Sequence, residues 1–478
     1  MNIRLEQTCA FLESDVETPI SLFLRQIGPE QGILLESAEV DGRWGRYSIV
    51  AGDFLLRLHC RGGLLDLDVA DPRLEPLRIL AGKPFPEGLR AVMQALEIVP
   101  AAARSGKGGP FPPITRALYG YFGYGAAGLL EPKLAGPLPP REAEACLVLP
   151  GSLTLFDHNY NRVCRLFLRG AAAPDGAAAK ADTEALPAGI GPARANMEKT
   201  AYLEMVRRIQ ERIRRGEAIQ VVPSIGFDAP FQGEPFTVYR RLRLINPSPY
   251  MFFMRLPDLV LMGSSPEVMV SCEAGRLRLC PIAGTRPRGA GQEEDNLFEE
   301  DLIRDPKEQA EHVMLVDLGR NDLGRVAAPG SVHLERYMEV ERFSHVMHLT
   351  SYIRADLAPG HDALDVLTAA FPAGTVSGAP KIRAMEIIAA EEPSPRGPYA
   401  GAIGWLGLDR DSVHMDTGIA IRSLWMRGGR VFWQAGGGVV FDSSPENEWK
   451  EINNKAGAML AAIAGSHSRA GGSHVSDY

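Results

Sequence analysis

The sequence predicts an α+β fold in which strands and helices are gathered into separate stretches. Three observations predict it. Four strand-like runs, "AIQVVPSIGF", "PYMFFMRL", "LVLMGSS" and "RLRLCPIAG", succeed one another between residues 218 and 284. Helical patterns then dominate from Glu293 to Asp322 and from Asp362 to Glu391. Strand-like runs return together in "YAGAIGWLGL", "SVHMDTGIAIRSLWM" and "RVFWQAGGGVVF". A doubly wound parallel sheet would alternate strand and helix along the chain instead.

In chain order, residues 1–170 read as a mixed region of short strands and helices. "GRYSIVAGDFLLRLHCRGGLLDLDV" has the alternation and glycine punctuation of antiparallel strands, and "EACLVLPGSLTLFDHNYNRVCRLFLRG" reads as two or three more. Residues 171–196 are rich in Ala, Gly and Pro, the composition of a linker or surface excursion. Residues 197–466 form a second region. It opens with Leu203, Val206, Ile209 and Ile213 at helical spacing, closed by Gly216. Its last helix is "SPENEWKEINNKAGAMLAAIAG", with Ser444 placed to cap and Pro445 at the first helical position. Residues 467–478 read as a disordered tail.

At 478 residues the chain is too long for one ordinary core. Hydrophobic content of 45% and charged content of 23% are those of a soluble globular protein. The net charge of −8 argues against a chain-wide preference for nucleic acid. No run of about 18 apolar residues is present to span a membrane, and "MNIRLEQTCAFLES" lacks the apolar core of a signal peptide. The six cysteines are scattered and form no C-x-x-C, so neither a disulfide framework nor a zinc knuckle is expected. A cytoplasmic protein is the expectation.

Some motifs carry little chemistry. "GYGAAG", 123–128, matches G-x-G-x-x-G, but prolines follow where a helix is required, so it reads as a turn and not a dinucleotide site. "FPAGTVSGAPKIRAMEII" leads into a helix near Pro380. Thr375, Ser377 and Lys381 could help that helix end hold a carboxylate or phosphate, but equally it is a plain glycine-rich turn. Without G-K-[ST] it is no nucleotide-binding loop, which disfavours a nucleotide-dependent ligase.

Two acidic pairs are more informative. Glu308 with Glu311, and Glu448 with Glu451, are each spaced i, i+3 on a predicted helix, so each pair shares a face. Either pair alone is an ordinary solvated helix face. Four carboxylates brought together would need a cation, and hard oxygen ligands without His or Cys point to magnesium. "QAGGGVVF" would let a ligand touch backbone at Gly436, Gly437 and Gly438. Arg422 ends an apolar run and reads as a buried arginine that needs an anion, either a protein carboxylate or a substrate one. In "LCPIAGTRPRG", 279–289, a strand-like run reads as breaking into a bend that carries two arginines and a threonine.

"NPSPYMFF", "GSSPE", "PIAGTRPRG", "AEHVMLVDLGRND", "VMHLTS", "AGTVSGAPK" and "PENEWKEINNKA" occur together and in this order. In them the chain resembles the chorismate-utilising enzymes, in particular the branch that uses ammonia and forms anthranilate. The likeness is dense from Met197 to about Ile463 and weaker before. It implies two packed antiparallel β-sheets flanked by helices. It also implies a lyase that aminates chorismate at C2 and eliminates pyruvate, at the entry to tryptophan biosynthesis. By the same likeness Glu311 and Glu451 would ligate magnesium, with Glu308 and Glu448 holding its waters. The ring carboxylate would lie near Lys455 and Gly436–Gly438, and the enolpyruvyl carboxylate on Tyr399 and Arg422. Thr285 and Thr375 would place the ring. Glu267 matches the general acid for the leaving 4-hydroxyl. His348, read on an apolar helix, matches the active-site histidine.

Ala283 bears on the product. Relatives forming 4-amino-4-deoxychorismate commonly read P-I-K-G-T, with a nucleophilic lysine where Ala283 stands. Relatives that add water carry a lysine base where Gln220 stands. Alanine with glutamine matches the anthranilate-forming pattern, although a synthase that stops at 2-amino-2-deoxyisochorismate would share it. A non-catalytic tryptophan-sensing subunit would be expected to lack part of the constellation, and none is missing. The chain shows no G-x-C-x-G amidotransferase nucleophile, so a separate glutamine amidotransferase subunit is implied as the ammonia source. "GILLESAEV" resembles the family's tryptophan-binding segment: Glu36 and Ser37 would meet the ligand's ammonium, and Pro249, Tyr250 and Met251 would form the facing wall. Two departures stand out: Pro223 where leucine is usual, and a longer stretch between Tyr399 and Arg422.

Overall fold

The computed structural model describes residues 1–12, 17–37, 45–101, 111–160, 162–168, 189–343 and 346–464. The expected tail, 467–478, and most of the expected linker, 171–188, lie outside them. The linker's last residues are described: Gly189–Ile190 and Arg194–Ala195 pair antiparallel with the strand Ser224–Gln232.

Two long strands, Tyr47–Arg61 and Ala145–Asp157, are the root of the architecture. They pair antiparallel, from Tyr47 opposite Asp157 to Cys60 opposite Ala145. From this pair the sheet forks. One branch runs from Tyr47–Arg61 through Gly32–Glu36, Tyr250–Arg255, Val260–Ser265, Ser423–Arg427 and Arg430–Gly436 to Ser224–Gln232. The other runs from Ala145–Asp157 through Ala117–Phe122, Ala402–Gly407, Met415–Ile419, Val268–Glu273 and Arg276–Leu279 to Val346–Asp356. Every pairing in both branches is antiparallel. Strands from the first 170 residues are thus hydrogen-bonded directly to strands beyond residue 197.

The alternation of each strand decides what the branches enclose. Ile33, Ile49, Phe252 and Leu261 from one branch meet Tyr119, Val148 and Ile403 from the other in one buried cluster. The outer faces take the helices. Residues of Lys199–Arg214, Pro235–Ile245, Lys381–Glu391 and Pro445–Ala464 cover the first branch. Ala363–Ala370 and the helix Phe85–Ala95 cover the second. This is the expected α+β fold of two packed antiparallel sheets flanked by helices.

Several expectations are corrected locally. "AIQVVPSIGF" is not one strand. Pro223 has no N–H to give a ladder, and the run splits into Gln220–Val221, paired with Gly378–Ala379, and Ser224–Gln232. Beyond residue 197, the strands Val268–Glu273, His333–Arg342 and Val346–Asp356 escaped the sequence reading. The last places His348 on a strand rather than a helix. The expected run from Arg276 to Ile282 stops at Leu279, and the expected bend after Ile282 is itself part of a strand, Ile282–Pro287, with a register shift between Ala283 and Thr285 where Gly284 takes φ +66°. In "GYGAAG", Gly128 faces the Leu138 carbonyl too closely for a side chain, so this glycine serves close chain packing. No helix among the described residues is long and apolar enough to cross a membrane.

Candidate active site

One corner is built from two helix starts. Asp305 caps Pro306–Gly324, its Oδ1 accepting from Lys307 N at 2.9 Å and Glu308 N at 3.3 Å. That sets Glu308 and Glu311 on the first turns. Pro445–Ala464 starts with Pro445 and carries Glu448 and Glu451 in the same way. The pairs face each other closely enough to feel one another's charge. Burial raises the Glu311 pKa, the Gln220 amide opposes that at 3.3 Å, and repulsion from Glu308 and Glu451 adds to it. Burial pushes Glu448 up to about 7, with the Ser443 hydroxyl opposing and Glu451 adding.

Glu448 Oε2 is buried and has no hydrogen-bond partner. Among the described residues, however, no three His, Cys, Asp or Glu side chains converge at metal-ligand spacing. Mutually repelling carboxylates and an orphaned buried oxygen fit a hard divalent ion that keeps much of its water and takes few direct protein ligands.

The glycine loop lies across this corner. A Cβ on Gly437 would sit 3.1 Å from Glu448 Oε2, and one on Gly438 would sit 2.7 Å from Gln220 Nε2. A Cβ on Gly436 would sit 3.0 Å from the Tyr399 hydroxyl. The lack of side chains is therefore what brings backbone, tyrosine and carboxylates together. Lys455 Nζ donates to Gly436 O at 3.1 Å and to Glu451 at 2.6 Å. Burial pushes the Tyr399 pKa up to about 12, against the nearby Arg396 charge, so the phenol stays a donor.

Glu267 sits between the strands Val260–Ser265 and Val268–Glu273, with its carbonyl accepting from Ile419 N at 3.0 Å. The residue as a whole is half-buried, yet desolvation of its carboxyl dominates and pushes the pKa up to about 7. The Thr375 hydroxyl and the Arg422 charge pull the other way. Thr375 Oγ1 is buried and makes no well-formed hydrogen bond, so its pull on Glu267 is that of a close polar neighbour.

His348 Nδ1 lies 2.9 Å from Gly284 O and 3.0 Å from Thr285 Oγ1. Burial lowers its pKa, so the ring is neutral near pH 7. A carbonyl can only accept, which assigns the proton to Nδ1 and leaves Nε2 with a free lone pair.

Arg422 differs from expectation. It is exposed, at a bend with φ +48° that splits Met415–Ile419 from Ser423–Arg427, and its Nη1 reaches Asn246 Oδ1 at 3.5 Å. Its charge still bears on both Glu267 and His348. Of the two readings of the turn before Lys381, the plain turn fits the side-chain bonding better. Lys381 Nζ is spent on Asp322 at 2.7 Å and Ala370 O at 3.1 Å, and Ser377 Oγ donates to Ala373 O. The arginines after Ala283 also have protein partners. Arg286 bonds Asp301, Asp305 and Glu308, and Arg288 bonds Asp295. The first of these fixes the Glu308 side chain from behind. Ala283 is buried opposite Leu349.

The remaining predicted residues lie elsewhere. Glu36 pairs across strands with Met251, and its buried Oε1 accepts from Tyr239 at 2.6 Å and Arg243 at 2.8 Å. Tyr250 donates to Asp416 at 2.8 Å. Ser37 follows Glu36, and Pro249 precedes Tyr250 and is half-buried.

Sequence reasoning missed two buried groups close to these residues. Arg396, in "SPRGPY", showed only as a charge amid turn residues. His312 showed only as the residue after Glu311. It is wholly buried, with Nε2 2.6 Å from Ser351 Oγ and Nδ1 unpartnered, and burial pulls its pKa down to about 4. The unfolded chain takes this proton near pH 6.5, whereas the folded chain refuses it until about 4. Stability should therefore be intact above pH 6.5 and fall by roughly 3 kcal/mol down to pH 4 from this group. His312→Gln should flatten that acid loss in denaturant melts at pH 7, 5 and 4. An unchanged slope would exclude His312 as its source.

The chorismate binding enzyme family matches residues 81–461. Anthranilate synthase component 1 of Aquifex aeolicus is 40% identical over 480 residues, covering 94% of this chain and 92% of that protein. Among solved structures, anthranilate synthase component I from Streptococcus pneumoniae superposes with a TM-score of 0.71 at 31% identity, covering 94% of this chain and 99% of that one. The menaquinone-specific isochorismate synthase of Escherichia coli shares the fold, with a TM-score of 0.70 at 18% identity, covering 96% and 94%.

Proposed function

Because the chain belongs to the chorismate binding enzyme family, we infer that it acts as anthranilate synthase component 1, converting chorismate and ammonia to anthranilate and pyruvate. The observation that carries the reading is a carboxyl poised near pH 7, Glu267, in a cleft that also holds a neutral imidazole with a free Nε2.

Ammonia adds at C2 as the 4-hydroxyl departs. Glu267, protonated, gives its proton to the leaving oxygen, and Thr375 orients it. Loss of the C2 proton then accompanies departure of the enolpyruvyl group as pyruvate. His348 Nε2 is a base with a vacant lone pair for that proton, and Thr285 steadies its ring. Tyr399 and Arg422 hold the enolpyruvyl carboxylate, and Lys455 with the Gly436–Gly438 backbone holds the ring carboxylate. When bound, a magnesium ion supplies electrostatic neutralisation of that carboxylate, with Glu311 and Glu451 as its ligands and Glu308 and Glu448 holding its waters. Alanine at 283 supplies no amine nucleophile, and Gln220 is too weak a base to activate water. Both favour amination over hydration.

Purified chain incubated with chorismate, magnesium and an ammonium salt tests this directly. Fluorescent anthranilate with stoichiometric pyruvate is expected. An aminodeoxychorismate or 2-amino-2-deoxyisochorismate without pyruvate would place the chain in a neighbouring branch. In the cytoplasm, where its six free thiols remain reduced, the ammonia would come from a glutamine amidotransferase subunit.

Tryptophan would bind where Glu36 faces Met251, with Ser37, Pro249 and Tyr250 around it. Saturating tryptophan is expected to inhibit the ammonia-dependent reaction, and Glu36→Ala to relieve that inhibition at least tenfold. Activity that ignores tryptophan removes this part of the reading.

A further inference from the structure

We propose that Arg396 is a positioning residue that holds the two walls of the chorismate cleft in register, the Thr375 segment on one side and the Gln220 strand on the other. The proposal rests on the reading of this cleft as the chorismate site.

Arg396 follows the helix Lys381–Glu391, and its side chain is only 1% exposed. All three guanidinium nitrogens are engaged. Nε donates to Glu392 Oε2 at 3.0 Å, Nη1 to Val376 O at 2.8 Å, and Nη2 to Val222 O at 2.6 Å and Glu392 Oε1 at 2.6 Å. Its Cζ lies 4.5 Å from the Tyr124 ring centroid and 5.9 Å from that of Tyr399.

The partners explain the role. Val376 follows Thr375, the neighbour of Glu267. Val222 lies two residues after Gln220, the partner of Glu311. Tyr399 is the phenol on Gly436. Glu392 Oε1 also accepts from Ser224 N and Oγ, both at 2.8 Å, and Ser224 pairs with Gly436. The ion pair therefore touches three segments that carry site residues and, through Ser224, borders a fourth.

Stability alone gives little reason for such a pair. A buried ion pair is often no more stabilising than apolar residues of the same volume. Only a planar fork of donors reaches two carbonyls and a carboxylate at once, and a lysine cannot. The arrangement makes sense as a device for geometry.

The test is the pH profile of kcat and kcat/KM, with chorismate, magnesium and an ammonium salt, for the full chain and for Arg396→Lys, Thr375→Val and the double variant. Circular dichroism monitors folding. The groups facing Glu267 are Thr375, Arg422 and Cys280. Thr375 holds the Glu267 pKa down, so a displaced Thr375 segment releases it.

Arg396→Lys is expected to lower kcat about 10- to 100-fold and move the descending limb to higher pH. Thr375→Val should give the same shift, and the double variant no further one. Glu392→Gln, which loosens the guanidinium without deleting it, should move the limb the same way by less, and is the readout if the lysine variant does not fold. A folded Arg396→Lys or Glu392→Gln enzyme with an unmoved limb overturns the positioning role while leaving the proposed function standing. A wild-type chain that does not consume chorismate brings both down.

Discussion

Glu267→Gln is expected to cut chorismate turnover by about 10³-fold, within the range for removal of a positioned general acid, while leaving the fold intact. Glutamine keeps the shape and can still donate a hydrogen bond to the leaving oxygen, but it cannot transfer a proton. The pH profile should change as well. With ammonium salts, free ammonia rises with pH while protonated Glu267 is lost through about 7, so the wild-type rate passes through a maximum. The sign follows from the acid role: activity falls as pH rises through the Glu267 pKa. In Glu267→Gln that descending limb should vanish, and the residual rate should track ammonia alone. A variant that keeps most of its rate, or keeps the limb, would show that the proton comes from elsewhere.

How far the site could be read in the sequence depended on what kind of information each residue's role needs. Glu308, Glu311, Glu448 and Glu451 were legible because i, i+3 spacing on a helix is local, and Pro445 marks where the second of those helices begins, whereas the break at Asp305 that starts the first went unread. The glycine loop was legible for the same reason. Long strands such as Tyr47–Arg61 announced themselves through alternation.

What failed was non-local. Arg422 looked buried because the run before it is apolar, but the chain turns at that residue and leaves it exposed. His348 looked helical because "VMHLTSYI" lacks clean alternation. Its strand is an interior one, paired on one edge with Ile282–Pro287 and on the other with His333–Arg342, and its residues from Val346 to Ala355 are all buried or half-buried, so no exposed face marks its period. Arg286 and Arg288 showed only as charges on an expected bend, because their carboxylate partners lie on the next two helices and the cap between them, up to 22 residues away. Arg396 needed contacts from residues 222, 376 and 392 at once, which no local pattern encodes.

Chelation of divalent ions should abolish the ammonia-dependent reaction and magnesium should restore it, and replacing a ligand should move stability and activity in opposite directions. Without a cation, Glu311 carries both the burial cost of its charge and the repulsion of Glu308 and Glu451. Glu311→Gln removes that repulsion and can still meet the Gln220 amide, so the metal-free variant should melt about 1–3 °C higher than the wild type. Magnesium should raise the melting temperature of the wild type by binding only the folded state, and should do little for Glu311→Gln. Turnover by the variant should fall by at least about 10²-fold even at saturating magnesium, since Glu311 is a proposed ligand of the ion. Glu448→Gln, which alters a carboxylate proposed to hold only the ion's waters, should instead raise the magnesium requirement about 10- to 100-fold. The contrast separates a ligand from its support. Wild-type turnover that survives chelation, or a Glu311→Gln protein that melts lower without metal, would mean the four carboxylates are not a cation site.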